Sequence, residues 1–210
     1  WPQVSGQFGN TYYHMFGIPQ ANQLNPAFQP GCDGYIGLPL LSPMRFEVES
    51  SSINYGDIFT WDKDLKKNIT FMHPDGDKQK FLNALEPVNL FRIELASNII
   101  SFGWRKDELY FTFDFTERLI QGLSIPGDFA EFLVNGNLDQ DNFNFSDLGE
   151  NLKYFHEIAL GASYNLDDEM QFGIRAKILL GGANITTRSS DINMRTSIDE
   201  WTVRSEMSID

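Results

Sequence analysis

The chain has 210 residues, 41% of them hydrophobic and 21% charged, a composition that folds rather than one that stays disordered. A net charge of −13 argues against a nucleic-acid partner, because phosphate binding wants a basic face. No apolar run reaches the about 18 residues of a transmembrane helix, but this does not exclude membrane-crossing strands, whose alternation averages out to polar.

Residues 1–43 are expected to form an irregular N-terminal plug or strap. The stretch "NQLNPAFQPGCDG" carries turn formers at nearly every second place, and Pro39 and Pro43 reduce "IGLPLLSP" to an edge strand or a bend. Asn25, Pro26 and Ala27 read first as a rigid turn, since Pro fixes φ and Asn favours turns. Alternation begins at Met44, with Met44, Phe46 and Val48 set against Arg45, Glu47 and Glu49. A charged stretch and the turn "HPDGD" follow, and Phe81, Leu82 and Leu85 predict a short helix near 78–86. From Leu90, a strand places Phe91, Ile93, Leu95 and Ile99 on one face and Arg92, Glu94 and Asn98 on the other, up to a hairpin turn at "RKDE", 105–108. Leu109, Phe111, Phe113 and Phe115 then alternate with Tyr110, Thr112 and Asp114.

Pro126, Asp128 and a closing Asn-Gly-Asn bracket a second short helix near 127–135, and "LDQDNFNFSDLGEN" reads as a polar loop. In the next strand Ile158, Leu160, Ala162 and Tyr164 oppose Glu157 and Ser163. After the turn "LDDE", the stretch "MQFGIRAKILL" sets Phe172, Ile174 and Ile178 against Gly173, Arg175 and Lys177, and pairing of its cations with Glu157 is expected. "GANITTRSSDINMRTSIDE" reads as a strand end plus loop, and "WTVRSEMSI" alternates Trp201, Val203, Met207 and Ile209 against Arg204 and Glu206. Because about six strands do not close a barrel and the last pattern stops mid-strand, 44–210 is expected to be an incomplete barrel within a longer protein.

Alternation alone does not say which face is inside. A soluble sheet with one wet face and a membrane barrel share the pattern. Strand length favours the barrel: the runs reach about 9–15 residues, as membrane strands do, against about 5–6 in ordinary sheets. Aromatics near strand ends, among them Phe102, Trp104, Tyr154, Phe155 and Trp201, fit interface girdles. On this reading Arg92, Glu94, Asp114, Glu157, Arg175, Lys177, Arg204 and Glu206 face a polar lumen. Phe91, Ile93, Leu95, Phe111, Phe113, Phe115, Phe172, Ile174 and Ile178 face lipid.

The segments "NPAFQP" (25–30), "IGLPLLS" (36–42), "ELASNIISFGWR" (94–105), "YFTFDFTER" (110–118), "SIPGDFAEFLVNGN" (124–137) and "EIALGASYNLDDEMQFGIRAKILLGGANITTRSSD" (157–191), with the closing "SEMSID", resemble in order a family of outer-membrane proteins of Bacteroidota of unknown function. That family is similar to long-chain fatty-acid transporter barrels, which carry an "NPA" element in an N-terminal plug. The resemblance implies an all-β, antiparallel transmembrane β-barrel of about 14 strands, of which this chain is the N-terminal half. It also implies a plug role for Asn25, Pro26 and Ala27.

Catalytic chemistry is not expected. His14, His73 and His156 stand in no metal or catalytic spacing, and a single cysteine, Cys32, forms no internal disulfide. "DQDNFNFSD" lacks the central Gly of a Ca²⁺ loop, "NIT" at 68 and 184 is a weak glycan signal, and "LLGGAN" reads as a bend. The expectation is a non-enzymatic outer-membrane protein without cofactor or metal, in contact with membrane lipid or lipopolysaccharide. Its expected role is a structural or accessory subunit beside other outer-membrane or periplasmic proteins. The alternatives are a transporter or channel for small hydrophobic compounds and a soluble β-rich binding domain.

Overall fold

A computed structural model of the chain describes residues 18–39, 44–137, 141–167, 169–197 and 200–210. Among them run strands β1 (Gly34–Gly37), β2 (Met44–Ser50), β3 (Phe59–Asp62), β4 (Lys67–Thr70), β5 (Val88–Lys106), β6 (Leu109–Pro126), β7 (Asn142–Asn144), β8 (Gly149–Asn165), β9 (Gln171–Thr196) and β10 (Trp201–Ile209). Helices α1 (Tyr55–Ile58), α2 (Lys78–Ala84) and α3 (Gly127–Asn135) lie between them, after a 3-10 turn at Pro19–Gln23.

The strands form a mostly antiparallel sheet hydrogen-bonded in the order β1-β5-β6-β8-β9-β10, with β2 also on β5 and β7 also on β9. Among the described residues no pairing joins β10 to β1 or β2, so the sheet is open there. None of the described helices is long and apolar enough to cross a membrane. Long strands follow from the run of alternating β-branched and aromatic residues, and their joints from local chemistry. Asp107, at φ 54, turns β5 into β6 in two residues, as a hairpin turn that needs positive φ requires.

Two compact units divide the described residues: those up to Glu47, with Glu94–Ile120 and those of Lys153–Asn184, form unit 1, and those of Val48–Ile93, Gln121–Leu152 and Ile185–Asp210 form unit 2. In unit 1 the buried side chains are mainly polar: Glu94, Asn98, Ser101, Thr112, Asp114, Thr116, Glu157 and Ser163. Its exposed side chains include Leu160, Phe172, Ile174, Ile178 and Leu180. Phe91, Ile93 (both of unit 2), Leu95, Phe111, Phe113 and Phe115 are half-buried. Unit 2 has the opposite interior. Phe143, Phe145 and Met194 are buried together, with Phe129 and Phe132 of α3 and Ile192 packed on them.

Several local readings change. The polar loop expected at 138–151 holds β7, and Phe143 and Phe145 supply the core of unit 2, packed with the preceding helix α3 and with Met194, about fifty residues on. The stretch 182–200, expected as a strand end plus loop, is strand as far as Thr196, because β10 and β7 both hydrogen-bond to it and supply the pairing its polar sequence does not announce. The hairpin β3–β4 was not expected either. Its turn is made by Asp62, whose Oδ1 accepts from the N–H groups of Asp64 (2.8 Å) and Leu65 (2.7 Å). In β5 both Ile99 and Ile100 lie between the buried Asn98 and Ser101, so the alternation slips by one residue, as at a β-bulge.

Where a helix was expected near 78–86, α2 begins at an N-cap: Asp77 Oδ1 accepts from the Lys80 N–H at 2.9 Å. Asp77→Ala should lower stability by about 1 kcal/mol, with faster amide hydrogen exchange confined to the first turn of α2; unchanged exchange there would remove the cap from the account. The helix expected near 127–135 is α3, stopped by Gly136 at φ 69.

Candidate functional site

The polar face of unit 1 carries a ladder of alternating charge across five strands. Arg45 on β2 donates from Nη2 to Glu94 Oε1 on β5 at 2.7 Å. Arg118 on β6 donates from Nη1 to the same oxygen at 2.8 Å, and its Nε stands 3.1 Å from Glu157 Oε2 on β8. Lys177 on β9 closes the row, with Nζ 3.1 Å from Glu157 Oε1. Each carboxylate lies between two cations, so neither Glu94 nor Glu157 is buried as a lone charge. Period-two geometry makes the row: residues two apart on a strand share a face, and opposed residues on neighbouring strands meet.

A second buried pair belongs to the same unit. Arg175 on β9 donates from Nη2 to Asp114 Oδ2 on β6 at 2.6 Å, with both side chains nearly excluded from solvent. Asp114 Oδ1 also accepts from Asn98 Nδ2 at 3.0 Å and from Gln23 Nε2 at 3.4 Å. The pair spans β8, which lies between its two strands. Gly161 is packed against Thr112, so two residues back along β8 the fully buried Ala159 comes opposite Asp114, and its small side chain leaves the guanidinium a path.

The N-terminal segment lies on this polar face. Asn22 Oδ1 accepts from Arg175 Nη1 at 3.3 Å, and Asn22 Nδ2 donates to the Tyr35 hydroxyl at 3.4 Å. Arg105 donates to Gln29 Oε1 at 2.6 Å and to the Pro30 carbonyl at 2.7 Å, with its guanidinium 5.2 Å from the Tyr110 ring centre. Asn25 Oδ1 accepts from the Ala27 N–H at 3.1 Å, an Asx turn that presents the Pro26–Ala27 peptide. That peptide sits directly on Gly173 of β9, where a Cβ would overlap the Pro26 carbonyl and the Ala27 nitrogen. Gly173→Val should therefore lift the segment, cost about 1–3 kcal/mol and make 18–30 sensitive to limited proteolysis; equal protease resistance would break the proposed contact.

Of the eight charged residues expected on a polar lumen, Glu94, Asp114, Glu157, Arg175 and Lys177 are brought together here. The expected partner of Glu157 is found in Lys177, whereas Arg175 reaches past β8 to Asp114. Arg92, Arg204 and Glu206 belong to unit 2, where Arg92 Nη1 is 3.5 Å from Glu49 Oε2 and Arg204 and Glu206 are exposed on β10. Sequence reading did not single out Arg45, Arg118, Asn22, Gln23 or Asn98 as parts of the network. Arg45 was visible as the polar partner of Met44 and Phe46, but Arg118 lies past the stretch read as strand, and nothing in the irregular segment marks Asn22 or Gln23.

No group of three or more His, Cys, Asp or Glu among the described residues could hold a metal ion. The ladder pairs fixed charges across neighbouring strands.

A family described as a family of unknown function (DUF5723) matches residues 26–210, nearly the whole chain, and the chain belongs to it. No curated protein and no solved structure matches the chain.

Proposed function

We propose, for a chain that belongs to this family of unknown function, that it is part of an integral outer-membrane β-barrel and acts as a structural or accessory subunit of an envelope assembly. One observation carries the membrane reading: in unit 1 the buried side chains are mainly polar or charged, while the exposed ones include Leu160, Phe172, Ile174 and Ile178. That polarity is the reverse of a domain folded in water and is what a barrel with a wet interior and a lipid exterior requires. Closure of the open sheet into a full antiparallel barrel is part of the proposal, as is the relation to outer-membrane proteins of Bacteroidota and to fatty-acid transporter-like barrels. A subunit role is favoured over an open pore because the charges of the polar face are paired with one another and the N-terminal segment lies on them.

One contact favours transport as the second reading. Seating of the Pro26–Ala27 peptide on Gly173 is what a plug would need, and a plug is useful only where something passes.

Outer-membrane fractionation of the native chain with a heat-modifiable gel shift is the expected result. Solubility in plain buffer, with no shift, would discard the membrane reading. Stable co-purification with envelope proteins supports the subunit role, whereas loss of uptake of small hydrophobic compounds on deletion, without such partners, would replace it by transport.

A further inference from the structure

Within unit 2, the hairpin β3–β4 has one closed face and one bare one. Cross-strand partners share a face, so Thr60 and Ile69 point one way and Trp61 and Asn68 the other. Ile69 is buried, and Phe71, next but one along the chain, stacks on Phe81 of α2 with ring centres 3.8 Å apart. The opposite face has no such cover. Trp61 is 58% exposed and Tyr55 of α1 is 66% exposed. Tyr55 stacks at 4.7 Å on Phe59, which shares the face of Trp61. Asn68 lies opposite Trp61 and donates from Nδ2 to the Tyr55 hydroxyl at 3.5 Å, so its amide sits between the two exposed rings. Its Oδ1 has no hydrogen-bond partner among the described residues.

The tip of the same hairpin departs from the charge of the chain. Asp and Glu number 29 against 16 Lys and Arg, yet Lys63, Lys66 and Lys67 fall within five residues. All three are exposed, and none forms an ion pair with a described residue. Of the two acids in this stretch, Asp62 is already engaged by the Asp64 and Leu65 N–H groups. An anionic ligand, repelled by the net charge of −13, meets unpaired cations here. The form of the face narrows the choice. A two-stranded face is broad and shallow, whereas a peptide anchor fills a pocket. A sugar ring suits such a face: its C–H side is apolar and stacks on an aromatic ring, and its hydroxyls at the rim both donate and accept, as an amide does.

We propose that this face of β3–β4 binds an acidic saccharide: a sugar ring rests on Trp61 beside Tyr55, its hydroxyls pair with the Asn68 amide, and its carboxylate or phosphate meets the turn lysines Lys63 and Lys66. The site lies wholly within unit 2, and its binding needs no membrane.

The test presents the full chain, in a neutral detergent, to an array of uronate, sialate and phosphorylated oligosaccharides, their neutral counterparts and a polyglutamate peptide. Acidic saccharides should be bound in preference to neutral ones. Trp61→Ala should weaken that binding about tenfold or more. Lys63→Gln with Lys66→Gln should remove the preference for acidic sugars. Asn68→Asp, which keeps the size of the side chain and adds a like charge, should abolish their binding. All four side chains are exposed, so the variants should unfold at the denaturant midpoint of the native chain. Binding unchanged in both Trp61→Ala and Asn68→Asp, or no saccharide bound at all, would overturn the site. Equal binding of acidic and neutral sugars would remove the role of the lysines. Polyglutamate bound as tightly as the best saccharide would replace the sugar by an acidic protein segment.

Discussion

Arg175→Met should lower the unfolding free energy by about 3–5 kcal/mol, because it leaves the Asp114 carboxylate buried without its counter-ion. Asp114→Leu should cost a similar amount by stranding the guanidinium. Asp114 keeps Asn98 and Gln23 as donors in the first variant, but two neutral amides do not replace a charge at 2.6 Å. The double variant, Asp114→Leu with Arg175→Met, should recover most of the loss, since an apolar pair of similar volume carries no desolvation penalty. Denaturant titration of the four proteins in one detergent gives the double-mutant cycle. Additive single losses, with no recovery in the double, would mean that the two side chains act independently and that the pair does not hold β6 to β9 across β8.

Phe143→Ala is the second large effect and concerns unit 2. Phe143 is almost fully buried, its ring centre 5.0 Å from Phe132 and 5.9 Å from Phe145. Truncation removes a large apolar group and leaves a hole that Met194 and α3 only partly fill, with an expected cost of about 3–5 kcal/mol. Phe143→Leu should cost clearly less, because it keeps most of the volume. Trp201, 6.1 Å from Phe132, gives a local fluorescence signal for the same transition. Stability of Phe143→Ala within about 0.5 kcal/mol of the native protein, the range of ordinary surface substitutions, would show that this phenylalanine group is not a core.

Much of the sheet was legible before any coordinates. The stretches from Leu90 to Trp104, Leu109 to Phe115, Phe155 to Asn165 and Trp201 to Ile209 are strands, because alternation at period two is a local property that the sequence carries in full. The short helices near 78–86 and 127–135 were readable from caps and stops, which are also local. Polar strand segments were not. The residues 185–196 are mostly polar, with only Ile192 and Met194 alternating on one face; they are strand because β10 and β7 supply hydrogen-bond partners, and pairing of this kind is invisible to any window of sequence.

The network shows the same division. That Glu94, Asp114, Glu157, Arg175 and Lys177 share the polar side of their strands follows from parity along each strand. Which cation meets which carboxylate does not. It depends on register between strands, on the slip of the burial alternation at Ile99 and Ile100, and on a small residue, Ala159, between Asp114 and Arg175. The part played by Asn22 and Gln23 is likewise tertiary, since an irregular segment has no period from which an orientation could be read.

The sequence by itself determined the strands that alternate apolar and polar residues, their two faces and the chemical character of each face, because side-chain direction alternates at every peptide. The tertiary structure decided which face is buried. In unit 1 it is mainly the polar one, closed by ion pairs and by the N-terminal segment; in unit 2 it is a phenylalanine cluster from α3 and the following segment, closed by Ile192 and Met194 of β9. Burial is a property of what stands opposite a face, and that is settled by register and chain crossing rather than by the local order of residues.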